Sequence, residues 1–341
     1  SLKHSIKAGT ELKNSIGINA ETRMRILLSL NEAINHKDQS KYLPAHQLNI
    51  NSINFNPDSD KLVSGSDDKT LKLWSLKDGK LTQLLMIKHQ TKVTMVTFSS
   101  DGKLIASGSE DGIVKIWSLT GAKITEINGH DRDITSISFY GNNAQIATGG
   151  KDGKIKLWQI NNGKLLQTIA GDNQPIKSMI ISADGKIIAS ASNENTVTMW
   201  SNTGKLIAIL NNHKDKINDV ILSPDGENIA TASADKTIKL WDKKGNLLSI
   251  LRHEEPVKSV RFSPDGQTIV SISEHGIIKF WHNGGILLKT IKINDYNLSG
   301  ISFSSDGEKI ALATVTGEVI LWRLNLDFLL QKGLLLLNSG N

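Results

Sequence analysis

A histidine, a hydroxyl residue and an aspartate recur as a set along this chain. His46 is followed by Ser64 and Asp68, His89 by Ser107 and Asp111, His130 by Thr148 and Asp152, and His213 by Thr231 and Asp235. These are the residue types of a hydrolytic triad: a nucleophile, its general base, and the carboxylate that orients the base. The spacing argues against that chemistry. In every set the hydroxyl comes 18 residues after the histidine and the aspartate 22 after it. An active site is one constellation grafted on a fold, whereas four copies at one spacing describe scaffolding. No Gly-x-Ser-x-Gly elbow, phosphate loop or His-Glu-x-x-His pair occurs. His275 and His282 stand seven apart without a convergent third ligand, too little for a metal site. With no cysteine, thiolate zinc sites, disulfides and cysteine nucleophiles are excluded. The expectation is no catalytic residue, no metal and no cofactor.

The elements that position these sets follow from tryptophan. The seven tryptophans, Trp74, Trp117, Trp158, Trp200, Trp241, Trp281 and Trp322, are separated by 43, 41, 42, 41, 40 and 41 residues. A fixed period of this length marks a repeat architecture. Each unit reads as four short strands. An alternating β-branched stretch such as 134–139 leads to a Pro-Asp-Gly or Ser-Asp-Gly turn, then a second strand and a tight turn. A third strand ends in the tryptophan, and a Gly-containing turn leads into a fourth. Four strands per unit, seven times over, make an all-β, seven-bladed propeller.

At this point the chain resembles the WD40-repeat family over residues 39–323. His46, His89, His130, His213 and His253 lie 28 residues before a tryptophan. Ser64, Ser107, Thr148, Ser190, Thr231 and Ser271 lie ten before one, and Asp68, Asp111, Asp152 and Asp235 six before. The resemblance implies a relay inside each blade, running from indole to hydroxyl to imidazole to carboxylate. A buried indole N–H or imidazole needs such partners. Departures are equally legible. Only Trp241 is followed by the family's Asp (Asp242). The fourth unit has Asp172 and Glu194 at the His and Asp positions, and the sixth has His275 at the Asp position. The seventh has Asn294, Leu312 and Thr316, which strands Trp322, so blades 4 and 7 are expected to be the least rigid.

The seventh unit supplies three strands, and residues 39–43 are expected to complete it and lock the ring. The propeller would then occupy 39–324. Upstream, residues 1–38 read as a helical leader. Residues 19–36 form an amphipathic helix capped by Asn19, and Leu2, Ile6, Leu12 and Ile16 mark a second stretch interrupted near Gly9. Residues 325–341 read as a tail with a short helix weakened by Gly333. The leader resembles those that precede WD40 arrays in large bacterial multidomain proteins with NTPase or caspase-like modules. Together with a start at Ser1 rather than Met, this suggests an excised part of a longer polypeptide. No apolar run reaches the roughly 18–20 residues that span a bilayer.

The net charge of +6 is carried mostly by lysine. Lys72, Lys115, Lys156, Lys239 and Lys279, each two residues before a tryptophan, are expected to snorkel to solvent at the blade margins. Nucleic-acid binding calls for aromatic residues among the basic ones, and the chain has only three Tyr. The resemblance implies partner contacts on the top face, where it maps Lys92, Asp133, Lys151, Lys177, Lys216, Lys258 and Glu274. Lys151, Lys177, Lys216 and Lys258 would form a basic arc over blades 3 to 6 for an acidic peptide or surface. The reading is a non-enzymatic, cytoplasmic, bacterial recognition or sensor propeller. It would serve a protein or peptide and the upstream domain of its own polypeptide. A purely structural or self-assembling module is the alternative, with acidic-ligand or nucleic-acid binding behind it.

Overall fold

A computed structural model describes residues 2–15, 18–35, 42–77, 80–170, 174–192, 194–293 and 296–338. Its strands form seven four-stranded antiparallel sheets. The first blade runs outward as Ile50–Phe55, Lys61–Ser66, Thr70–Lys77 and Lys80–Lys88. Blades 2 to 6 repeat this order from inner strands Val93–Phe98, Ile134–Tyr140, Ile176–Ile181, Ile217–Leu222 and Val257–Phe262. This is the seven-bladed propeller expected from the tryptophan period. Asp172, Asn193, Asn294 and the turn at Asp78 and Gly79 lie outside the described residues.

The core lies between blades. Ala189, Val197, Met199 and Leu210 of blade 4 pack with Ile217, Val220, Ile229 and Trp241 of blade 5. Blade 5 packs the same way on blade 6 through Ala232, Leu240, Leu251, Val257 and Trp281. Every inner strand also carries a register shift between its first and third residues, for example between Ile176 and Ser178 and between Ile217 and Asp219. A bulge leaves one residue unpaired and re-aims its side chain. The residues so released are Asn51, Thr94, Thr135, Lys177, Asn218, Lys258 and Ser299, all of which line the central channel.

Ring closure is short. Tyr42–Pro44 pairs with Glu318–Arg323, the third strand of blade 7, with Tyr42 opposite Ile320 and Pro44 opposite Glu318. The described part of this strand overlaps the expected segment at residues 42 and 43 and runs on to Pro44, and residues 39–41 lie outside the described residues. The Gly317 carbonyl accepts from the N–H groups of Ala45 and His46. Gly317 has φ 93, and a Cβ there would sit 2.3 Å from the His46 oxygen, so no other residue fits.

Three helices pack together beside blades 6 and 7: α1 (Leu2–Asn14), α2 (Ala20–Asn35) and α3 (Leu326–Asn338). Asn19 caps α2, its Oδ1 accepting from the Thr22 N–H at 2.8 Å. The helices share a core of Leu2, Ile6, Leu30, Ile34, Leu329 and Leu330. The expectation that Gly9 interrupts α1 is corrected, since the helix runs through, and Gly333 lies inside the expected C-terminal helix. A Cβ on Gly9 would meet Leu330 Cδ2 at 3.0 Å, and one on Gly333 would meet Ile6 at 3.0 Å. The helix-propensity cost of each glycine, about 1 kcal/mol, is set against the close approach it permits. Ile16 lies outside the described residues. Helix α2 docks on the outer strand of blade 6 (Leu287–Lys292). Lys289 pairs with Glu32 at 2.8 Å, and Arg25 donates to the Leu287 carbonyl at 3.2 Å.

Candidate functional site

The relays are built from the third and second strands inward. In blade 1 the Trp74 indole N–H donates to Ser64 Oγ at 2.9 Å, and Ser64 lies 2.7 Å from His46 Nε2. His46 Nδ1 lies 2.9 Å from Asp68. The hydroxyl accepts from the indole and donates to Nε2, which places the imidazole proton on Nδ1, facing the carboxylate. Blade 3 joins Trp158, Thr148, His130 and Asp152, and blade 5 joins Trp241, Thr231, His213 and Asp235, with contacts of 2.7–3.0 Å. Burial holds all three imidazoles below the usual histidine range, against the pull of their aspartates.

Two relays stop early. In blade 2, Trp117, Ser107 and His89 are joined, but Asp111 turns instead to Ser109 Oγ at 2.6 Å and the Ile113 N–H at 3.2 Å. The expected contact between Asp111 and His89 is therefore corrected: no hydrogen bond of ordinary geometry reaches His89 Nδ1 among the described residues. In blade 6, Trp281, Ser271 and His253 are joined, and His253 Nδ1 is likewise unpaired. His275 takes a left-handed turn (φ 58) and lies 3.3 Å from Glu255, while His282 Nδ1 accepts from the Gly284 N–H, so the two histidines do not converge. Burial, then a nearby lysine (Lys115 and Lys279 respectively), brings His89 and His253 down to about 4. Among the described residues, blade 4 shows Trp200 joined to Ser190 at 3.0 Å.

The repeated lysines do not reach solvent as expected. Lys72 donates to the Ala45 carbonyl at 2.6 Å, Lys156 to Gly129, Lys239 to Asn212, and Lys279 to Arg252 at 3.1 Å. Each acceptor is the residue just before a relay histidine. Lys72, Lys156 and Lys279 also lie over their tryptophan rings, at 5.8, 5.8 and 5.5 Å from the centroids. The ammonium thus ties the third strand to the loop that carries the imidazole, because that loop offers a free carbonyl closer than water. Lys115 departs from the pattern, lying 3.9 Å from Glu126.

The mapped top-face residues gather round the channel mouth, but not as one basic arc. Lys151 is neutralised by Asp133 at 2.6 Å, and Lys92 lies 3.9 Å from Asp67. Lys258 reaches toward the Leu298 carbonyl at 3.5 Å and shares the mouth with Glu274. Lys177 and Lys216, on adjacent blades, have no carboxylate partner among the described residues and line one cavity of about 920 Å³. The Lys177 amine is held below the usual lysine range by desolvation, then by Lys216 and Lys151, with Asp219 opposing. Its side chain opens to solvent through the channel, while the surrounding wall removes much of the amine's hydration.

The channel wall holds a cluster that the repeat comparison did not single out. Asp219 accepts from Ser178 Oγ at 3.0 Å, Ser259 Oγ at 2.6 Å, the Val260 N–H at 3.2 Å and Arg261 Nη1 at 2.6 Å. Both carboxylate oxygens are occupied, so the group ties blades 4, 5 and 6 together and is not poised as a base. The signal was present: the equivalent positions are Ser52, Met95, Ser136, Ser178, Ser259 and Gly300, and only one of the seven residues is charged.

Residues 37–75 match the family model described as WD domain, G-beta repeat. Residues 84–241 match that of the nucleolar protein 10-like N-terminal domain, and residues 175–329 that of the IFT122 first beta-propeller. No curated protein matches the chain. No helix among the described residues is long and apolar enough to cross a membrane.

Proposed function

We propose, from the premise that the chain is a WD40-repeat seven-bladed β-propeller, that it recognises an acidic segment of a protein partner at its channel mouth. WD40 propellers are typically protein-interaction modules and usually non-catalytic. The single observation that carries the reading is the pair Lys177 and Lys216, two ammonium groups on neighbouring blades with no carboxylate partner among the described residues. Two like charges held together are relieved by an anion placed between them. An acidic side chain entering there would also be offered the second N–H of the Asn218 amide, whose first is held by the Val257 carbonyl. The reading extends to a recognition or sensor role in a larger bacterial signalling polypeptide of the cytoplasm, with its helical leader linking it to an upstream module. The likeness of that leader to those before bacterial WD40 arrays supports this.

The test is fluorescence anisotropy with a labelled decaglutamate peptide. Reversing both charges (K177E and K216E) should weaken binding by at least about tenfold. K123E, the same reversal on the outer strand of blade 2, should change it little, because Lys123 lies outside the channel lining. Equal losses in the two proteins, or none in either, would sink the reading.

A further inference from the structure

The outer strands of blades 4 and 5 carry apolar residues that nothing among the described residues covers. Leu206, Ile207 and Ile209 of blade 4 and Leu247, Leu248 and Ile250 of blade 5 are all exposed, Ile209 by 52% and Leu248 by 57%. Single exposed apolar residues are ordinary, and the equivalent position is exposed in blades 1 to 3 as well (Leu84, Ile124 and Leu166), but exposed apolar residues lying beside an existing interface and among cations mark a contact surface. The next blade shows what such a surface does. Leu288 of blade 6 stands where Leu248 stands in blade 5 and Ile207 in blade 4, each following the residue that pairs with its blade's tryptophan. Leu288 is only 6% exposed, in one cluster with Leu28 and Met24 of α2.

The patch continues from that interface. Leu287, whose carbonyl accepts from Arg25 of α2, is itself 40% exposed on the strand next to blade 5. Its rim is basic. Lys205, Lys244 and Arg252 are exposed and make no ion pair among the described residues, while the nearby Asp242 carboxylate is taken up by its own turn through Asn246.

We infer that the outer face of blades 4 and 5 binds an amphipathic α-helix of another polypeptide, acidic along its flanks, laid beside α2 as an extension of the same helical layer. An apolar stripe at helical spacing fits this strip of leucine and isoleucine as α2 fits blade 6. Acidic flanks would meet the three free cations.

The test uses the whole chain and two synthetic 18-residue helical peptides with the same leucine stripe, one flanked by Glu and one by Lys. The Glu-flanked peptide should bind with the Lys-flanked one at least about tenfold weaker, and I207D with L248D should remove binding by a similar factor. I250T, which copies Thr290 of blade 6, should give a smaller loss and keeps the test valid if the double variant unfolds. Equal binding of both peptides, or binding untouched by every variant, overturns the inference. So does a dimer in light scattering that the double variant dissolves, since the occupant would then be a second copy. Binding of the chain to neutral phosphatidylcholine vesicles, lost in the double variant, would assign the patch to lipid and overturn it as well.

Discussion

Trp322 lies against Phe280, ring centroids 6.3 Å apart and planes 24° from parallel, with its indole N–H buried and unpaired among the described residues. In the other six blades the indole donates to a serine or threonine; here that position is Leu312, fully buried. An unsatisfied buried donor costs about 1–3 kcal/mol. Apolar packing offsets it: Leu28 of α2 joins Phe280, Leu312 and Trp322 in one cluster. Helix α2 thus supports the blade whose fourth strand is supplied from the other end of the chain.

Leu28→Ala should therefore cost about 2–5 kcal/mol, the range for a buried leucine, and lower the melting temperature by several degrees. Amide exchange should speed up first in Glu318–Arg323. A variant that melts with the parent would show that the helices ride on the ring without supporting it.

Asp68 and Asp111 occupy equivalent sequence positions but unequal environments. Asp68→Ala removes the acceptor for His46 Nδ1, for the Gln47 N–H and for Thr70, and should cost on the order of 2–3 kcal/mol. Asp111→Ala removes only turn contacts and should cost about 1 kcal/mol. Urea denaturation of the two variants distinguishes them, and equal costs would contradict the interrupted relay.

Acid should destabilise the chain before its carboxylates titrate. His89 and His253, at about 4 in the folded state against an ordinary 6.5, stay neutral while the unfolded chain takes up protons. Stability is therefore intact above pH 6.5 and falls as pH drops toward 4, by on the order of 3 kcal/mol for each histidine. Asp235 moves the other way. Burial raises it, but hydrogen bonds from Thr237, the Lys214 N–H and His213 outweigh this and hold it at about 2. Its share is present above the ordinary 3.8 and is lost between 3.8 and 2. Unfolding free energies at pH 7, 5.5 and 4.5 should decline steadily. His89→Gln should flatten the slope, and an unchanged slope would count against a neutral buried imidazole.

Lys279 has a side chain only 4% exposed and donates to the Arg252 carbonyl and to Glu254. Lys279→Met keeps the stem and loses the donors, for a cost of about 1–3 kcal/mol. The exposed Lys205→Met should be neutral. Thermal melts of the two would settle whether the repeated lysines are structural.

Hydrogen exchange blade by blade should be fastest in blades 4 and 7, where the relay is shortest or missing. Uniform protection would mean that inter-blade packing alone sets rigidity.

The chain's sequence alone determined the blade number, the turns and which residues occupy equivalent positions, because these are properties of a period: tryptophan, hydroxyl and imidazole at fixed offsets must fall at equivalent places in every sheet. It also disclosed the loss at Trp322, since Leu312 cannot accept a hydrogen bond whatever surrounds it. What it could not determine were contacts between different periods. Whether Asp111 turns to His89 or to Ser109, whether Lys239 faces water or the Asn212 carbonyl, and whether Lys151 is free or held by Asp133 are competitions decided by distance in the folded ring. Gly9 and Gly333 make the same point. Judged by local propensity they break helices, yet only tertiary packing reveals that α1 and α3 need them to come close enough to each other and to α2.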